Sequence, residues 1–309
     1  MRATVATARI HLGPTAEAEL SDAITRAGGV LVPLDDAEAV VWTAGPDSFP
    51  ADLPDSVRWV QLSSAGVESW LAAGVVDEKR TWTSAAGAYA RTVAQHTIML
   101  LLAGVRHLPE QLEADSWRKD EFDPRVGTLD GATVAIVGCG GIGRALIPFL
   151  HAAGAKVLAV TRSGVPVDGA ELTLPSDRVG EVWSRADHFV ISAPATTETA
   201  HLVDESVFAA MKPSSWVVNV ARGSLIDTDA AVDAVKNGVI GGVALDVTDP
   251  EPLPDHHPLW SLPNAIVTPH VANPASGLSK ALAAHIARNV ELFCAGEALA
   301  ARIDTTRGY

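Results

Sequence analysis

Short apolar runs rich in β-branched residues recur along the chain between stretches of helical periodicity. In the second half the runs are Thr133–Val137, Val157–Thr161, His188–Ser192, Trp216–Val220, Gly242–Val247 and Ala265–Thr268, which predict six strands. Helical segments between most of them imply crossovers, hence a doubly wound parallel sheet with ligands at the carboxyl ends of its strands. Residues 1–90 alternate again on a smaller scale. There Thr4–Ala8, Val30–Leu34, Ala39–Thr43 and Trp59–Leu62 read as strands, and a polar helix is expected around Glu17–Ala27. Thr92–Val105 is apolar almost all round and predicts a buried helix at a seam between two domains. Arg106–Arg125 is charged, contains Trp117, and reads as an exposed connector or an arm over a partner subunit. Leu278, Leu282, Ile286, Val290 and Phe293 fall at helical spacing, so a final helix is expected to return to the opening domain.

The stretch Ala132–Gly164 gives this pattern chemical content. The strand at Thr133–Val137 runs into Gly138, Gly140 and Gly143 at G-x-G-x-x-G spacing. A helix follows with Ile142, Leu146, Phe149 and Leu150 on one face, stops at Gly154, and leads to a second strand. A pyrophosphate must sit on backbone N–H groups at a helix N-terminus. A Cβ would obstruct the turn at Gly138, the phosphate at Gly140, and helix-to-strand packing at Gly143. A tight strand-to-helix turn explains glycines alone; the complete strand–helix–strand setting points to a dinucleotide site.

Composition narrows the classes. A length of 309 residues suits about two domains, and 48% hydrophobic residues support globular cores. The net charge of −14 argues against a nucleic-acid or anionic-membrane partner, so any anion site must be built locally. The two cysteines, Cys139 and Cys294, have no metal-ligand spacing and fit a reducing compartment; Cys139 reads as packing. Arg9 and His11 interrupt any signal-length apolar core, and Ile98–Val105 is too short to span a bilayer, so a cytoplasmic location is expected.

Three residues at strand ends suit one reaction. Arg222 follows the run Val217–Val220, Glu251 lies between Pro250 and Pro252 after Gly242–Val247, and His270 follows Ala265–Thr268. Hydride addition to a ketone creates an alkoxide that must be protonated, and an imidazolium can do this near neutral pH. His270 is the expected acid, and Glu251 would orient its ring and favour its charged form. Arg222 offers a fork of donors to a substrate carboxylate. Each residue alone reads equally well as an ordinary loop side chain; the coincidence at three strands of one sheet favours chemistry. Ser63–Gly66 lies between a strand and an apolar turn, and reads either as an anion-binding nest or as a plain loop.

From about Gln61 to Tyr309 these stretches resemble the D-isomer-specific 2-hydroxyacid dehydrogenase family. SSAG resembles its carboxylate-binding loop, implying that the Ala65 and Gly66 amides hold substrate, and VAQHTIMLLLAGVR resembles its interdomain helix. NVARGSLID, LDVTDPEPLP and TPHVAN resemble the segments carrying the catalytic Arg222, Glu251 and His270. The resemblance implies cofactor contacts at Gly138, Gly140, Gly141, Ile142 and Gly143, at Thr161, Arg162 and Ser163, at Ala193, and at Pro194 and Thr199 of the PATTET segment that follows it. It adds Val220 and Ala221, and a contact from Asp246 to the nicotinamide carboxamide. It further implies a Rossmann-type doubly wound parallel sheet plus a smaller flavodoxin-like α/β substrate domain. Residues 1–96 and 276–309 would form the discontinuous substrate-binding domain, and 97–275 the dinucleotide-binding domain with the interdomain helix at its start. Two departures stand out: Gln95 where glutamate is usual, and Asn273 where a small residue is common. Since no regulatory domain follows Tyr309, an allosterically controlled phosphoglycerate dehydrogenase is not the expectation.

The expected activity is NAD(P)H-dependent interconversion of a small 2-oxoacid and its D-2-hydroxyacid, of the glyoxylate or hydroxypyruvate kind. NAD-preferring sites place a carboxylate at the end of the second strand to hold the ribose 2′-OH. Thr161-Arg162-Ser163 instead offers hydroxyls and a guanidinium to a 2′-phosphate, so NADP is favoured over NAD. In an NAD enzyme Arg162 would merely stack on adenine. The alternative is a dinucleotide-sensing binding protein, resembling corepressors that keep the same three residues; a screen of oxoacids with both cofactors separates the two. Glu251 beside His270 speaks against formate oxidation, and the lack of a lysine in SSAGVES against phosphite oxidation. By resemblance a homodimer is expected, with Gly104–Gly127 in contact.

Overall fold

The computed structural model describes residues 7–307, which divide into two units: the residues up to Tyr89 with those from Pro274, and Ala90–Asn273. The first unit opens with β1 (Ala8–Gly13), α1 (Ala18–Arg26), β2 (Gly29–Leu31), β3 (Ala39–Trp42), β4 (Trp59–Leu62), α2 (Glu68–Ala72) and β5 (Thr81–Thr83). Its sheet has the order β2-β1-β3-β4-β5 with every pairing parallel, the flavodoxin-like arrangement. The described opening strand is Ala8–Gly13; of the run expected over Thr4–Ala8, the first three residues lie outside those described. Arg9 and His11 alternate with buried Ile10 and Leu12, as a half-buried strand requires. The strand expected over Val30–Leu34 stops at Leu31, and Pro33, which has no N–H to give a ladder, precedes a turn of 3₁₀-helix. Trp42, Phe49, Trp70 and Trp82 pack edge-on and tilted in this core, with Trp42 and Trp70 rings each 5.4 Å from Phe49.

The second unit contains α3 (Ala90–Val105), α4 (Leu108–Leu112), α5 (Lys119–Phe122), β6 (Thr133–Val137), α6 (Gly141–Ala152), β7 (Lys156–Thr161) and β8 (Leu172–Pro175). It continues with β9 (His188–Ile191), α7 (Glu205–Ala210), β10 (Trp216–Asn219), α8 (Thr228–Lys236), β11 (Gly242–Leu245) and β12 (Ala265–Val267). The sheet order is β12-β11-β10-β9-β6-β7-β8, all parallel, so it is seven-stranded where six strands were expected. The additional strand, β8, is an edge strand with only Leu174 buried, too weak a pattern to stand out. Chain order reverses between β6 and β9, and this switch point is where such sheets bind ligands.

Helix α3 belongs wholly to the second unit, so the boundary expected between residues 96 and 97 would cut through it. It packs on α6 and β10, and a Cβ on Gly104 would stand 2.3 Å from the Trp216 ring. The helix is not buried all round: Met99 and Leu102 are exposed on its other face. On α6 the buried face is Gly143, Leu146, Ile147 and Leu150, while Ile142 and Phe149 of the expected stripe are half-buried.

The chain then returns to the first unit as α9 (Ala275–Ala295), which lies against α1. Leu282, Ile286 and Val290 are buried, each stabilising by about 1.5–3 kcal/mol. Asn289 is fully buried and donates to Gln61 Oε1 at 2.7 Å, while Gln61 also accepts from the Thr83 hydroxyl at 2.9 Å. This network ties α9 to β4 and β5. Among the described residues no helix is long and apolar enough to cross a membrane.

Candidate active site

The turn after β6 is the cradle the glycines foretell. Gly138 has φ +87°, and a Cβ there would lie 2.3 Å from the backbone of Ala193, which follows β9. A side chain is excluded both by conformation and by space. The Gly138 and Cys139 amides bond to the Val160 carbonyl, and Ser192 Oγ donates to the Gly138 carbonyl at 3.0 Å, fixing the turn across the switch point. A Cβ on Gly143 would meet Cys139 Sγ and Ile136 at 2.8 Å, which is helix-to-strand packing. Burial pushes the Cys139 thiol up to about 11, so it stays protonated and packs. At Gly140 the nearest protein atom to a Cβ is 3.9 Å away, leaving open space above the helix start.

Arg144 donates the first helical bond, to Gly140, so Gly141, Ile142 and Gly143 carry the amides that a helix leaves unpaired. Open space at Gly140 beside those amides fits a dinucleotide pyrophosphate. At the end of β7, Thr161 Oγ1 accepts from the Gly164 amide at 3.1 Å, and Arg162 and Ser163 are exposed. In the Pro194–Thr199 segment the Thr199 hydroxyl is taken up by its own loop, donating to the Pro194 carbonyl at 2.8 Å and accepting from the Thr196 amide at 2.8 Å. These bonds shape the loop. Ala193, Val220 and Ala221 are buried beside the strand ends.

Three neighbouring strands deliver the polar residues. After β10 the buried Asn219 accepts from the Ala221 amide and donates to the Arg222 carbonyl at 2.8 Å, folding the chain so that Arg222 leaves the strand end half-buried. Arg222 also donates to the Ala221 carbonyl at 2.6 Å. Gly223 lies against the loop after β11, where a Cβ would fall 1.9 Å from the Thr248 carbonyl oxygen. Glu251 follows in that loop, and His270 follows β12. Their side chains meet: His270 Nδ1 is 2.6 Å from Glu251 Oε1, with both about half exposed.

His270 has φ +53°, the left-handed region, which costs a residue of this kind about 1 kcal/mol. Asp246, at the end of β11, holds the loop in that shape. Its carbonyl accepts the His270 amide at 2.8 Å, and its carboxylate accepts the amides of Val271 and Ala272 at 3.0 Å and the Thr268 hydroxyl at 2.6 Å. His96 Nε2, from α3, lies 3.2 Å from the same carboxylate. Despite its burial the Asp246 carboxyl is lowered to about 2 by these donors. Its side chain is 1% exposed and anchors the loop from inside the fold. Asn219, His96 and Thr268 join the candidate site through hydrogen bonds that residue spacing does not signal.

In the first unit, the Ser63 carbonyl accepts from Tyr89 Oη at 2.7 Å and the Ser64 carbonyl from the Ala85 amide. Ala65 beyond them is exposed and Gly66 half-buried.

Residues 96–272 match the NAD binding domain of the D-isomer specific 2-hydroxyacid dehydrogenases. The chain belongs to that family. It is 44% identical over 276 residues to an uncharacterized protein of Corynebacterium melassecola, covering 89% of this chain and 90% of that one. It is 34% identical to the glyoxylate reductase of Thermococcus gammatolerans over 64% of this chain and spans 61% of that enzyme's length. Among solved structures, the NADPH-dependent glyoxylate/hydroxypyruvate reductase of Sinorhizobium meliloti superposes with a TM-score of 0.68 at 27% identity, covering 97% of this chain and 98% of that one. The second unit, with its glycine cradle at the switch point, is thus the family's nicotinamide-dinucleotide domain.

Proposed function

We propose that this dehydrogenase reduces a small 2-oxoacid of the glyoxylate or hydroxypyruvate kind to its D-2-hydroxyacid, with His270 as proton donor. The observation that carries the reading is the His270–Glu251 pair at the carboxyl edge of the sheet. A bound nicotinamide dinucleotide supplies the hydride. Glu251 occupies Nδ1 of His270, which leaves Nε2 to hand a proton to the oxygen of the reduced carbonyl as charge develops there. Arg222, from the adjacent strand, takes the substrate carboxylate through its planar fork and draws electron density from the neighbouring carbonyl.

We assign NADP as the preferred dinucleotide. No carboxylate follows β7 to repel a 2′-phosphate, and Arg162 and Ser163 are exposed there. The Sinorhizobium meliloti relative is named as NADPH-dependent. A homodimer through Gly104–Gly127 is supported by Leu112 and Trp117, which are 77% and 91% exposed.

Steady-state assays of glyoxylate, hydroxypyruvate and larger 2-oxoacids with NADPH and NADH test the reading. Turnover of the small substrates is expected, and activity toward no 2-oxoacid with either dinucleotide would refute it.

A further inference from the structure

Helix α3 presents two polar side chains, one turn apart, to the loop that carries His270. Thr92 Oγ1 donates to Asn273 Oδ1 at 3.2 Å, at the far end of the loop. His96 Nε2 lies 3.0 Å from Thr268 Oγ1 and 3.2 Å from Asp246 Oδ1, at its near end. Between these points stand Val271 and Ala272, whose amides both bond to the Asp246 carboxylate, and His270 in its left-handed conformation. An ionised carboxylate only accepts, so His96 carries its hydrogen on Nε2 and donates.

We infer that His96 is a positioning residue for His270, acting through the Asp246 carboxylate and the loop folded around it. The inference rests on the reading of His270 as the proton donor. The Asp246 carboxylate is almost wholly buried, and every donor to it comes from the loop except His96, which comes from a helix packed against the sheet. Asp246 is held through its backbone at the end of β11, where its amide donates to the Asn219 carbonyl, and the imidazole adds a second attachment, from its side chain and the loop around it to helix α3. Without it the carboxylate keeps only bonds to the segment it is supposed to hold. The loop then samples other shapes, and the fraction of time in which His270 Nδ1 faces Glu251 falls. Asn273, a departure from the usual small residue, gains a role as the second point of attachment.

The test compares His96→Ala, His96→Asn and His96→Gln with the unsubstituted protein, in glyoxylate reduction and in amide hydrogen exchange followed by NMR. The Gln amide nitrogen reaches where Nε2 stands; the Asn amide is too short and serves as the disrupting variant should Ala fail to fold. For Ala and Asn, kcat should fall about tenfold with KM for glyoxylate and Kd for NADPH within about twofold. Exchange at Val271 and Ala272 should speed up about tenfold while amides of β9 and β10 stay as protected as before. His96→Gln should recover most of both. The inference is overturned if kcat and the two amides are unchanged, if exchange rises equally throughout the unit, or if Gln is as impaired as Ala. An unsubstituted protein without turnover would overturn the reductase reading instead, and the two amides would still decide whether His96 holds the loop.

Discussion

Nδ1 of His270 lies 2.6 Å from Oε1 of Glu251, a contact between residues from the ends of two adjacent parallel strands. That pair and Arg222 are assigned different tasks, which kinetics can separate. His270→Ala removes the proton donor and should lower kcat by about 10²–10⁴-fold with a small change in KM. Arg222→Ala should chiefly raise KM for the oxoacid, and Arg222→Lys should recover little, because an ammonium lacks the planar fork. Unchanged turnover in the histidine variant would remove the mechanism.

Gly138 and Gly140 should respond oppositely to the same substitution. Gly138→Ala puts a Cβ into the Ala193 backbone at 2.3 Å on a residue with φ +87°, so the fold itself should lose more than about 1 kcal/mol, read as a lower Tm. Gly140→Ala meets no protein atom closer than 3.9 Å, so Tm should hold while Kd for the dinucleotide rises at least about tenfold. Fluorescence titration alongside thermal melts distinguishes the two.

Cofactor choice should follow Arg162. Arg162→Ala is expected to lower kcat/KM for NADPH about tenfold and leave that for NADH nearly unchanged. Thr161→Asp should push the ratio further toward NADH by placing a carboxylate where a 2′-phosphate would lie. An Arg162→Ala variant that loses both cofactors equally would assign the guanidinium to adenine stacking.

Acid lability should trace in part to His188. Burial lowers its pKa to about 4, and its Nδ1 accepts the Trp216 amide at 3.2 Å, so the folded state holds it neutral. Between about 6.5 and about 4 the unfolded chain binds the extra proton. Stability present above that window is therefore lost as pH falls through it, on the order of 3 kcal/mol by its lower end. His188→Asn keeps an acceptor for the Trp216 amide and cannot charge, so its Tm should fall less steeply between about pH 6.5 and pH 4.5. Parallel slopes for the two proteins would dismiss this group.

Much of the site was legible because its residues sit next to features with strong local signals. The glycine turn lies between a fully apolar strand and an amphipathic helix, and Arg222, Glu251 and His270 each follow a strand by a few residues. The short strands β5 and β8 gave no period to read, and β8 pairs on one side only. Asp246 was visible, but its surroundings were not: they come from His96, Thr268, Val271 and Ala272, the first of them 150 positions away in the chain. A buried carboxylate finds its donors through tertiary packing, and spacing along the sequence does not encode that. The signal available was His96 itself, a titratable residue in the middle of a largely apolar helix.

The Gln61–Asn289 bond joins a strand near the beginning of the chain to a helix near its end, with an entire domain encoded in between. During synthesis on the ribosome, the inserted dinucleotide domain has all its strands before Asn289 emerges, so it can close first. The opening sheet must wait for the Asn289 bond to Gln61, and for the apolar face of α9 that comes with it, until that helix arrives. A chain stopped short of α9 should therefore yield one finished domain and one exposed, association-prone sheet.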